Sequence, residues 1–593
     1  MEKNELMRGG EFLLKQTKAK DIFIPEEFDD EQLMIAQTCE DFLGAEVFPH
    51  LDRIDAQEEG LIASLLKKSG ELGLLGISVP MEYEGFDQSF VTSMRANESM
   101  GSAYSFSVAY MAHTGIGTLP LLYYGNDEQK QKYIPKLANG EMLAAYCLTE
   151  PGAGSDANSG KSKAVLSEDG KNYILNGQKM WITNGGFADL LTVFAKIDND
   201  RVLSAFMVEA DWEGVTINPE EKKMGIKGSS TTQIFFNDVK VPVENLLGKR
   251  GQGFRIALNI LHIGRIKLGG TVLGACKTAI NNSVNYSNER KQFNSLLSSF
   301  GAIKHKLAEQ VIRTWAAESA VYRATGDVNQ IIQTMLAEGQ DKGESNIAGI
   351  AEFAIEAALL KVYGSEALDY VVDEAVQIFG GMGYSAEAPV DRAYRDSRIN
   401  RIFEGTNEIN RLLVVDTTLK KAPKGDFPLF EKAKEILDNL SKYDQIEYVE
   451  GFYESKEQNV QNFKDAVLMM MVLANEKFSK DLIKEQEILM NITDMMVDLY
   501  AVESTLLRVQ KLEQLKGESH MPLYKDILDT LMYDAATRIY KAGKDAINNM
   551  FEGNDNQKYM QALHAMTSVH GVNTKEARRR IADKLIDDNI YKF

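Results

Sequence analysis

Cysteine, proline and net positive charge are all scarce in this sequence. The 593 residues include 3 cysteines and 12 prolines, and 86 acidic against 66 basic side chains leave a formal net charge of −20. Three cysteines cannot build a disulfide framework, and Cys39, Cys147 and Cys276 lack metal-like spacing, so we expect buried thiols in a reducing compartment and no metal site. Because a surface that binds nucleic acid must be basic to neutralise phosphates, nucleic acid is not an expected partner.

Long apolar runs and targeting segments are scarce as well. The nine-residue run from Ala466 to Ala474 is too short to span a bilayer. The first twenty residues combine Glu2, Glu5 and Glu11 with five basic residues and have no apolar core, so they predict neither a signal peptide nor a transit sequence. The predicted location is cytoplasmic.

Several well-known catalytic motifs are missing. The sequence has no Walker A, HExxH or GxSxG pattern, and the glycine-rich stretch from Gln377 to Tyr384 lacks the GxGxxG spacing of a dinucleotide site. These absences argue against an ATPase, a zinc peptidase, a serine hydrolase and a nicotinamide-dependent enzyme.

Hydrophobic periodicity divides the chain into four regions, in keeping with the two to four domains expected at this length. Residues 1–144 have helical spacing, residues 145–250 contain short β-branched and aromatic runs without intervening helices, and residues 251–418 are helical again. A helical extension occupies residues 419–593, with a predicted linker at 420–425 near its start. We therefore predict a mainly α protein with a central β domain, an antiparallel sandwich or barrel. Four predicted strands lie at 173–177, 191–195, 205–208 and 232–236.

The pentapeptide Phe403-Glu404-Gly405-Thr406-Asn407 is the most informative motif. A carboxylate next to Ile402 and Phe403, just before a Gly-Thr turn, lies where burial can raise its pKa and suit it to take a proton from carbon. The alternative is a helix N-terminus capped by Thr406, with Glu404 as an ordinary surface residue.

Two segments at the start of the β region could bind a ring system or a diphosphate. The glycines, hydroxyls and free N–H groups of residues 146–156 could wrap such a ligand, although a surface turn explains them too. Residues 179–184 place Trp181 beside the Thr183 hydroxyl, although core packing is the commoner reason for a lone tryptophan.

In this order, the motifs resemble the acyl-CoA dehydrogenase family over roughly residues 30–418. Residues 147–159 match its first signature, residues 377–396 its second, and Glu404 its usual base position. Residues 222–227, residues 259–265 and the C-terminal extension resemble the very-long-chain branch. Some members place the base immediately before the residue that matches Arg265; Gly264 stands there, so the resemblance assigns the base to Glu404.

The resemblance implies FAD as the cofactor and a fatty acyl-CoA as the substrate. Glu404 would remove the α-proton while a hydride passes to the flavin, giving a trans-2-enoyl-CoA in β-oxidation, with electrons leaving to an electron-transferring flavoprotein. Ser155, His262, Arg265 and Gly405 would hold the substrate. The implied FAD contacts are Tyr146, Leu148, Thr149, Gly154, Ser155, Trp181, Ile182, Thr183, Arg290, Phe293, Gln377, Gly381, Thr406 and Glu408, of which Arg290, Phe293, Gln377 and Gly381 would reach the FAD of a neighbouring subunit in a homodimer.

Four positions bear on the acyl chain length of the substrate and on FAD binding. Val108 and Ala112 stand where medium-chain members close the acyl pocket with larger polar residues, which favours long or very long chains. Asn294 replaces the usual glycine after Phe293, and Glu408 stands where many members have glutamine. An extra carboxylate near a diphosphate is unfavourable unless a cation offsets it.

Two alternatives share these motifs. An acyl-CoA oxidase would use the same chemistry with oxygen as the acceptor, and a scaffold would keep the fold and FAD while serving in assembly; the presence of Glu404 favours an enzyme. For the methionine-rich stretches at 467–473 and 488–499 we predict the core of a helical bundle, with a surface facing lipid or a partner as the alternative. Residues 326–351 are predicted to be a surface insertion.

Overall fold

Seven helices precede the first strand in the computed structural model, which describes residues 6–424 and 427–593. The capping residues explain where two of them begin: Asp29 accepts a hydrogen bond from the Gln32 backbone N–H at 2.8 Å, and Asn126 does the same for Gln129. The helices are α1 (Asp30–Phe42), α2 (Leu51–Asp55), α3 (Leu61–Glu71), α4 (Phe90–Met100), α5 (Ser105–Met111), α6 (Leu119–Tyr124) and α7 (Asp127–Ala138).

An eight-stranded sheet forms the middle of the protein. Its strands are β1 (Ala144–Cys147), β2 (Lys163–Leu166), β3 (Asn172–Thr183), β4 (Leu190–Ile197), β5 (Ser204–Glu209), β6 (Val215–Ile217), β7 (Thr231–Pro242) and β8 (Leu246–Leu247). The order is β6-β7-β3-β2-β4-β5-β8, and β1 pairs with β4. The long β3–β7 pair sets Tyr173 opposite Val241 and Thr183 opposite Thr231. All four predicted strands are present.

Most neighbouring strands are antiparallel, as predicted, but β4 runs parallel to both β1 and β2. Parallel neighbours need a long crossover connection, and residues 148–189 supply it between β1 and β4. The buried face of the sheet includes Cys147, Val193 and Phe206.

Six helices and a small hairpin follow the sheet. They are α8 (Gly253–Glu289), the strands β9 (Lys291–Gln292) and β10 (Ser295–Leu296), then α9 (Gly301–Ala337), α10 (Lys342–Glu352), α11 (Ala354–Phe379), α12 (Pro389–Ser397) and α13 (Asn407–Lys421). By length and composition α8 could cross a membrane, but 67% of its most apolar window is buried inside the protein. Core helices of soluble proteins share this composition, so α8 is weak evidence for a membrane span.

The prediction that residues 326–351 form a surface insertion is wrong at both ends of this stretch, which belong to packed helices. Helix α9 continues to Ala337, and α10 packs against it through the buried side chains of Ile332 and Ile350. Only the turn at residues 337–341 is exposed throughout. Of the predicted linker, residues up to Lys421 belong to α13 and Ala422–Lys424 form a 3₁₀ turn, whereas Gly425 lies outside the described residues.

The extension is a bundle of helices with a methionine-rich core. Its helices are α14 (Leu429–Asp438), α15 (Phe452–Phe478), α16 (Gln486–Lys516), α17 (Pro522–Met550), α18 (Gly553–Met566) and α19 (Thr574–Asp588). The methionines at 469–471, 495 and 496 are fully buried, which confirms that both methionine-rich stretches form core. Cys39, Cys147 and Cys276 are free and buried, as predicted.

Residues 6–29, which we call the N-terminal strap, lie against the extension. The Arg508 guanidinium on α16 donates to Glu26 at 2.7 Å, and the Lys511 ammonium donates to Glu27 at 2.7 Å. The strap thus joins one end of the chain to a helix close to the other.

Arg508 also belongs to a buried charge network. Its second guanidinium nitrogen donates to Glu318 on α9 at 2.7 Å, and Glu318 pairs with Lys277 on α8. Lys277 pairs in turn with Glu98 on α4 at 2.6 Å. The network therefore ties helices from three of the four predicted regions together, at the desolvation cost that buried charges carry.

Candidate active site

Glu404 lies in a left-handed turn just before α13. Its φ is 57° and that of Gly405 is 81°, and a positive φ is uncommon for a residue with a side chain. Thr406 caps α13, because its hydroxyl accepts a hydrogen bond from the Ile409 N–H at 3.3 Å. The cap is therefore present, and it does not make Glu404 a surface residue.

The Glu404 carboxyl rests against the bare α-carbon of Gly264 on α8. A Cβ at position 264 would lie 2.7 Å from Oε2 and 2.9 Å from the carboxyl carbon. Oε2 is buried, and among the residues that the structure describes none donates a hydrogen bond to it. Burial raises the pKa of Glu404 to about 7, while the charges of Arg265 and Lys361 oppose that rise. The predicted elevation is confirmed.

Arg265 and His262 lie one turn apart on α8 beside this carboxyl. Arg265 is buried, and its Nε donates to the Glu404 carbonyl oxygen at 3.0 Å. A second guanidinium nitrogen lies 3.3 Å from Nδ1 of His262, which must accept because arginine only donates. Burial, reinforced by Arg265, lowers the pKa of His262 to about 3, so the imidazole is neutral. Arg265 therefore holds the backbone of the base.

Lys361 on α11 is a further charged residue at this site that the sequence did not reveal. Its side chain is 0% exposed, and its Nζ donates to Oδ1 of Asn407 at 2.6 Å. Asn407 is the first residue of α13, three positions after Glu404. The available signal was a lone charge inside the apolar run at 357–362, which marks a buried ion in need of a partner.

A chain of polar contacts continues from Asn407 to the extension. Nδ2 of Asn407 donates to Oε1 of Glu366 at 3.0 Å, and Arg411 donates to the same oxygen at 2.8 Å. Arg411 also donates to Asp494 on α16 at 2.7 Å. The helix that begins at the base is therefore anchored to the extension through Arg411.

Tyr146, at the end of β1, is close enough to interact with the base. Its ring packs edge-on against Phe194, with centroids 4.9 Å apart. Burial raises the pKa of the Tyr146 hydroxyl well above its usual value, and the nearby Glu404 adds to the effect. The structure thus brings the first predicted cofactor segment to the base.

The glycine-rich turn after β1 is open on its outer side. Gly154 and Ser155 are exposed, and no described atom lies within 4 Å of where a Gly154 Cβ would stand. A buried ion pair anchors the turn to β3, with Nζ of Lys179 2.6 Å from Glu150. Leu148 is buried and Thr149 half-buried, between Tyr146 and this anchor.

Trp181 and Thr183 lie on the same strand as that anchor. Trp181 is 53% exposed with a φ of 60°, at an irregularity in the β3–β7 pairing between Lys179 and Ile182. Thr183 is half-buried, whereas Ile182 is buried in the core of the sheet. The predicted contact of Ile182 with a cofactor therefore cannot involve its side chain.

Four other predicted cofactor residues form a second group away from the base. Tyr286 near the end of α8 stacks on Phe379 at the end of α11, with centroids 4.1 Å apart. Arg290 and Phe293 follow the end of α8, and Gln377 and Gly381 flank the end of α11. All four residues are exposed, and Phe293 is 90% exposed. At 1.5 Å per residue, Arg290 lies about 39 Å along the helix from Gly264. One chain does not bring this group to Glu404.

Two residues of the base helix complete the predicted set. Thr406 is the cap described above, and Glu408 is exposed in the first turn of α13. Hydrogen bonds from its own backbone N–H and from the Thr406 hydroxyl lower the pKa of Glu408. Asn294 adopts a φ of 58°, which asparagine tolerates better than most residues, so it can replace a glycine there.

A narrow cavity of about 60 Å³ lies beside α8, where residues of α5 and α12 also line it. Val108 on α5 and Ala275 on α8 are among its lining residues, together with Tyr104 and Asp396. Ala112, the other position predicted to set chain length, is buried in a π-helical turn at 112–117. Met111 contacts Thr271, which also lines the cavity.

Family models for three successive acyl-CoA dehydrogenase domains match the chain. The N-terminal domain model matches residues 29–141, the middle domain model 145–239 and the C-terminal domain model 251–419. A fourth model, also described as an acyl-CoA dehydrogenase C-terminal domain, matches residues 462–565 in the extension. The chain belongs to the acyl-CoA dehydrogenase family.

Individual acyl-CoA dehydrogenases agree with this assignment. A probable acyl-CoA dehydrogenase from Bacillus subtilis is 44% identical over 590 residues, covering 99% of each chain. The rat mitochondrial very long-chain specific acyl-CoA dehydrogenase is 37% identical over 521 residues, covering 82% of this chain and 75% of the relative. A crystal structure of an acyl-CoA dehydrogenase complexed with FAD from Bacillus anthracis has a TM-score of 0.97 and 45% identity, covering 99% of this chain and 100% of the other. The predicted fold class and family are confirmed.

Proposed function

We propose that this acyl-CoA dehydrogenase uses FAD to oxidise the α,β bond of fatty acyl-CoA thioesters, with Glu404 as the base. The observation that carries the proposal is the Glu404 carboxyl: its Oε2 is buried, it lies against Gly264, and burial raises its pKa to about 7. A general base works best when its pKa lies near the working pH, because it is then both ionised and basic enough to take a proton.

The residues around the base suit FAD. The open turn at Gly154 and Ser155 leaves room for a ring system, and the exposed Trp181 offers a flat apolar face beside it. The buried Tyr146 hydroxyl has no partner among the described residues, so it is available to a bound ligand. The solved relative with 45% identity is complexed with FAD. When bound, FAD supplies the acceptor for the substrate hydride.

The chain itself supplies the base and its support. Oε2 of Glu404 is free to accept the α-proton, and Arg265 keeps the Glu404 backbone in place through its carbonyl oxygen. Burial of Oε2 limits its contact with water, which is the cause of the raised pKa. His262, neutral at physiological pH, can contact the substrate without adding charge.

Long or very long chains are the proposed substrates. The cavity begins beside Gly101 and extends along α8 as far as Thr278 and Ala279. The α8 residues that line it, from Thr271 to Ala279, span about 12 Å of helix, which is roughly 10 bonds of an extended chain at about 1.2 Å per bond. Thr271 lies about 10 Å along α8 from Gly264, so an acyl chain that starts at the base must pass that distance before it reaches the cavity. Because the cavity itself is narrow, its lining must move when a chain enters, and the flexible Met111 beside Thr271 suits that movement.

The proposal includes a homodimer. The exposed group at Arg290, Phe293, Gln377 and Gly381 lies too far from Glu404 to serve the same FAD, but a second copy could present it to its partner's cofactor. Exposed apolar side chains such as Phe293 and Tyr384 are also typical of a protein interface. By analogy with the family, we propose electron-transferring flavoprotein as the acceptor, a role in β-oxidation and a cytoplasmic location.

The test is an anaerobic titration of the purified flavoprotein with palmitoyl-CoA, followed through the visible absorbance of oxidised flavin. We expect bleaching in the wild type and not in Glu404→Gln. The matched control is Glu338→Gln, which alters an exposed carboxylate on the turn after α9 and should bleach normally. A yellow protein that no acyl-CoA bleaches would contradict the enzyme and favour a scaffold, and fast reoxidation of the bleached protein by oxygen would favour an oxidase.

A further inference from the structure

The fully buried Lys361 lies next to the left-handed turn formed by Glu404 and Gly405, which we call the base turn. A buried ammonium is costly unless it is paired and hydrogen-bonded, and this one donates to Asn407 at 2.6 Å. It projects from α11, which also packs against α13 and α8. Its helix therefore contacts both elements that carry the base and Gly264, and Lys361 itself bonds to the first residue of α13.

Asn407 is held by several groups of α11 at once. Besides Lys361, it donates through Nδ2 to the Ser365 hydroxyl and to Glu366, each at 3.0 Å. The left-handed conformation of Glu404 and Gly405 is not favourable by itself and persists only where the surrounding structure imposes it. Fixing Asn407 fixes the end of that turn.

The charge of Lys361 acts on the base as well. Burial lowers the pKa of Lys361 to about 7, and the nearby carboxylate of Glu404 opposes this. The other charged groups that face Lys361 are Arg265 on α8, Glu408 on α13 and Glu366 on its own helix. Each member of the Lys361–Glu404 pair favours the charged form of the other, so the pair titrates as a unit.

We propose that Lys361 is a positioning residue for the dehydrogenation: through Asn407 it holds the base turn at Glu404 and Gly405, and its ammonium favours the carboxylate form of Glu404. This inference rests on the proposed function of Glu404 as the base. It assigns to α11 a part in the chemistry beyond packing.

The experiment measures the limiting rate of anaerobic flavin reduction by palmitoyl-CoA from about pH 6 to pH 9, a range that brackets the working pH of the base. In the wild type the rate should rise with pH, because Glu404 must be ionised to accept the proton. In Lys361→Met we expect the midpoint to move upward by about one pH unit, the low end of the effect of removing an opposite charge, because Lys361 is itself only partly protonated in this range. The rate at high pH should also fall, because Asn407 has lost its donor.

One further variant separates the charge of Lys361 from its hydrogen bond to Asn407, and a second controls for the loss of a buried lysine elsewhere. Lys361→Gln keeps a donor for Asn407 without the charge, so it should share the shifted midpoint and recover much of the high-pH rate. Lys464→Met removes another buried lysine, which pairs with Glu503 at 2.5 Å in the extension, and should leave the midpoint unchanged.

A wild-type midpoint in Lys361→Met or Lys361→Gln, measured on protein that still binds flavin and bleaches, would overturn the inference. A shift of equal size in Lys464→Met would also overturn it, since the effect would then reflect general destabilisation. A wild type that never bleaches would instead refute the proposed function.

Discussion

Replacing Gly264 with alanine would place a methyl group where the Glu404 carboxyl now lies. The new Cβ would be 2.7 Å from Oε2, whereas ordinary contact begins at 3.4 Å, so the carboxyl would have to move by about 0.7 Å. The displaced atoms are the end of a flexible side chain, so the fold can absorb the change. Alanine also favours a helix by about 1 kcal/mol relative to glycine.

The predicted effect is therefore on rate and not on stability. A misplacement of about 1 Å in a reacting group can cost about 100-fold, which corresponds to about 2.7 kcal/mol in the barrier. For Gly264→Ala we expect flavin reduction by palmitoyl-CoA to slow by about 10- to 100-fold in anaerobic stopped-flow measurements. The apparent melting temperature should stay the same or rise.

The matched control is Gly269→Ala on the same helix. Its Cβ would meet Val321 at 3.0 Å and would lie away from the base. This variant should reduce its flavin at close to the wild-type rate. If Gly264→Ala is as fast as the wild type, the carboxyl does not rest against Gly264 in the reacting complex; if both variants slow equally, distortion of α8 is the cause.

Three other changes have outcomes set by the structure. Val108→Phe should slow turnover of palmitoyl-CoA much more than that of octanoyl-CoA, because Val108 lines the cavity beside α8. Lys267→Met should raise the free energy of unfolding by about 3 kcal/mol at pH 7, because burial lowers the pKa of Lys267 from 10.5 to about 8. Arg508→Met should lower it by about 3–5 kcal/mol, because Glu26 and Glu318 lose a buried partner.

Each of these predictions has its own control. If Val108→Phe slows turnover of palmitoyl-CoA and octanoyl-CoA equally, Val108 does not line the path of the longer chain. The gain from Lys267→Met should be full below pH 8 and shrink between about pH 8 and 10.5, where the unfolded lysine stays protonated and the folded one does not; a gain independent of pH would contradict it. For Arg508 the control is Arg580→Met, which removes an exposed ion pair with Asp526 and should lower the free energy of unfolding by only about 0–1 kcal/mol. If both substitutions lower the free energy of unfolding equally, the buried charge network does not stabilise the protein as proposed.

Local patterns predicted most of the fold and the centre of the site. Strand and helix periodicity located the sheet and the helical regions, and the methionine stretches were correctly assigned to core. Glu404, Gly405 and Thr406 are adjacent in sequence, so their turn and cap follow from neighbours that can be read directly. The burial that raises the pKa of Glu404 depends instead on Gly264 of α8, since the adjacent Ile402 is exposed.

What could not be predicted depends on residues that are distant in sequence. Lys361 and Asn407 are 46 positions apart, and a lysine on a helix is by default a surface residue. The parallel pairing of β4 depends on how residues 148–189 return to the sheet, which a strand pattern does not specify. The burial of α10 against α9 likewise depends on tertiary packing.

The N-terminal strap has a consequence for how the protein is made. Glu26 and Arg508 are 482 positions apart, so the ribosome synthesises the strap long before the helix on which it docks. At 5–20 residues per second this interval is at least about 24 seconds. During that time the strap can bind α9 and α11, through contacts such as Arg323–Thr17 and Glu356–Gly10, but its ion pairs with α16 cannot form. A nascent chain interrupted before α16 would therefore hold the strap by fewer contacts than the finished protein does, which should leave it more open to proteases.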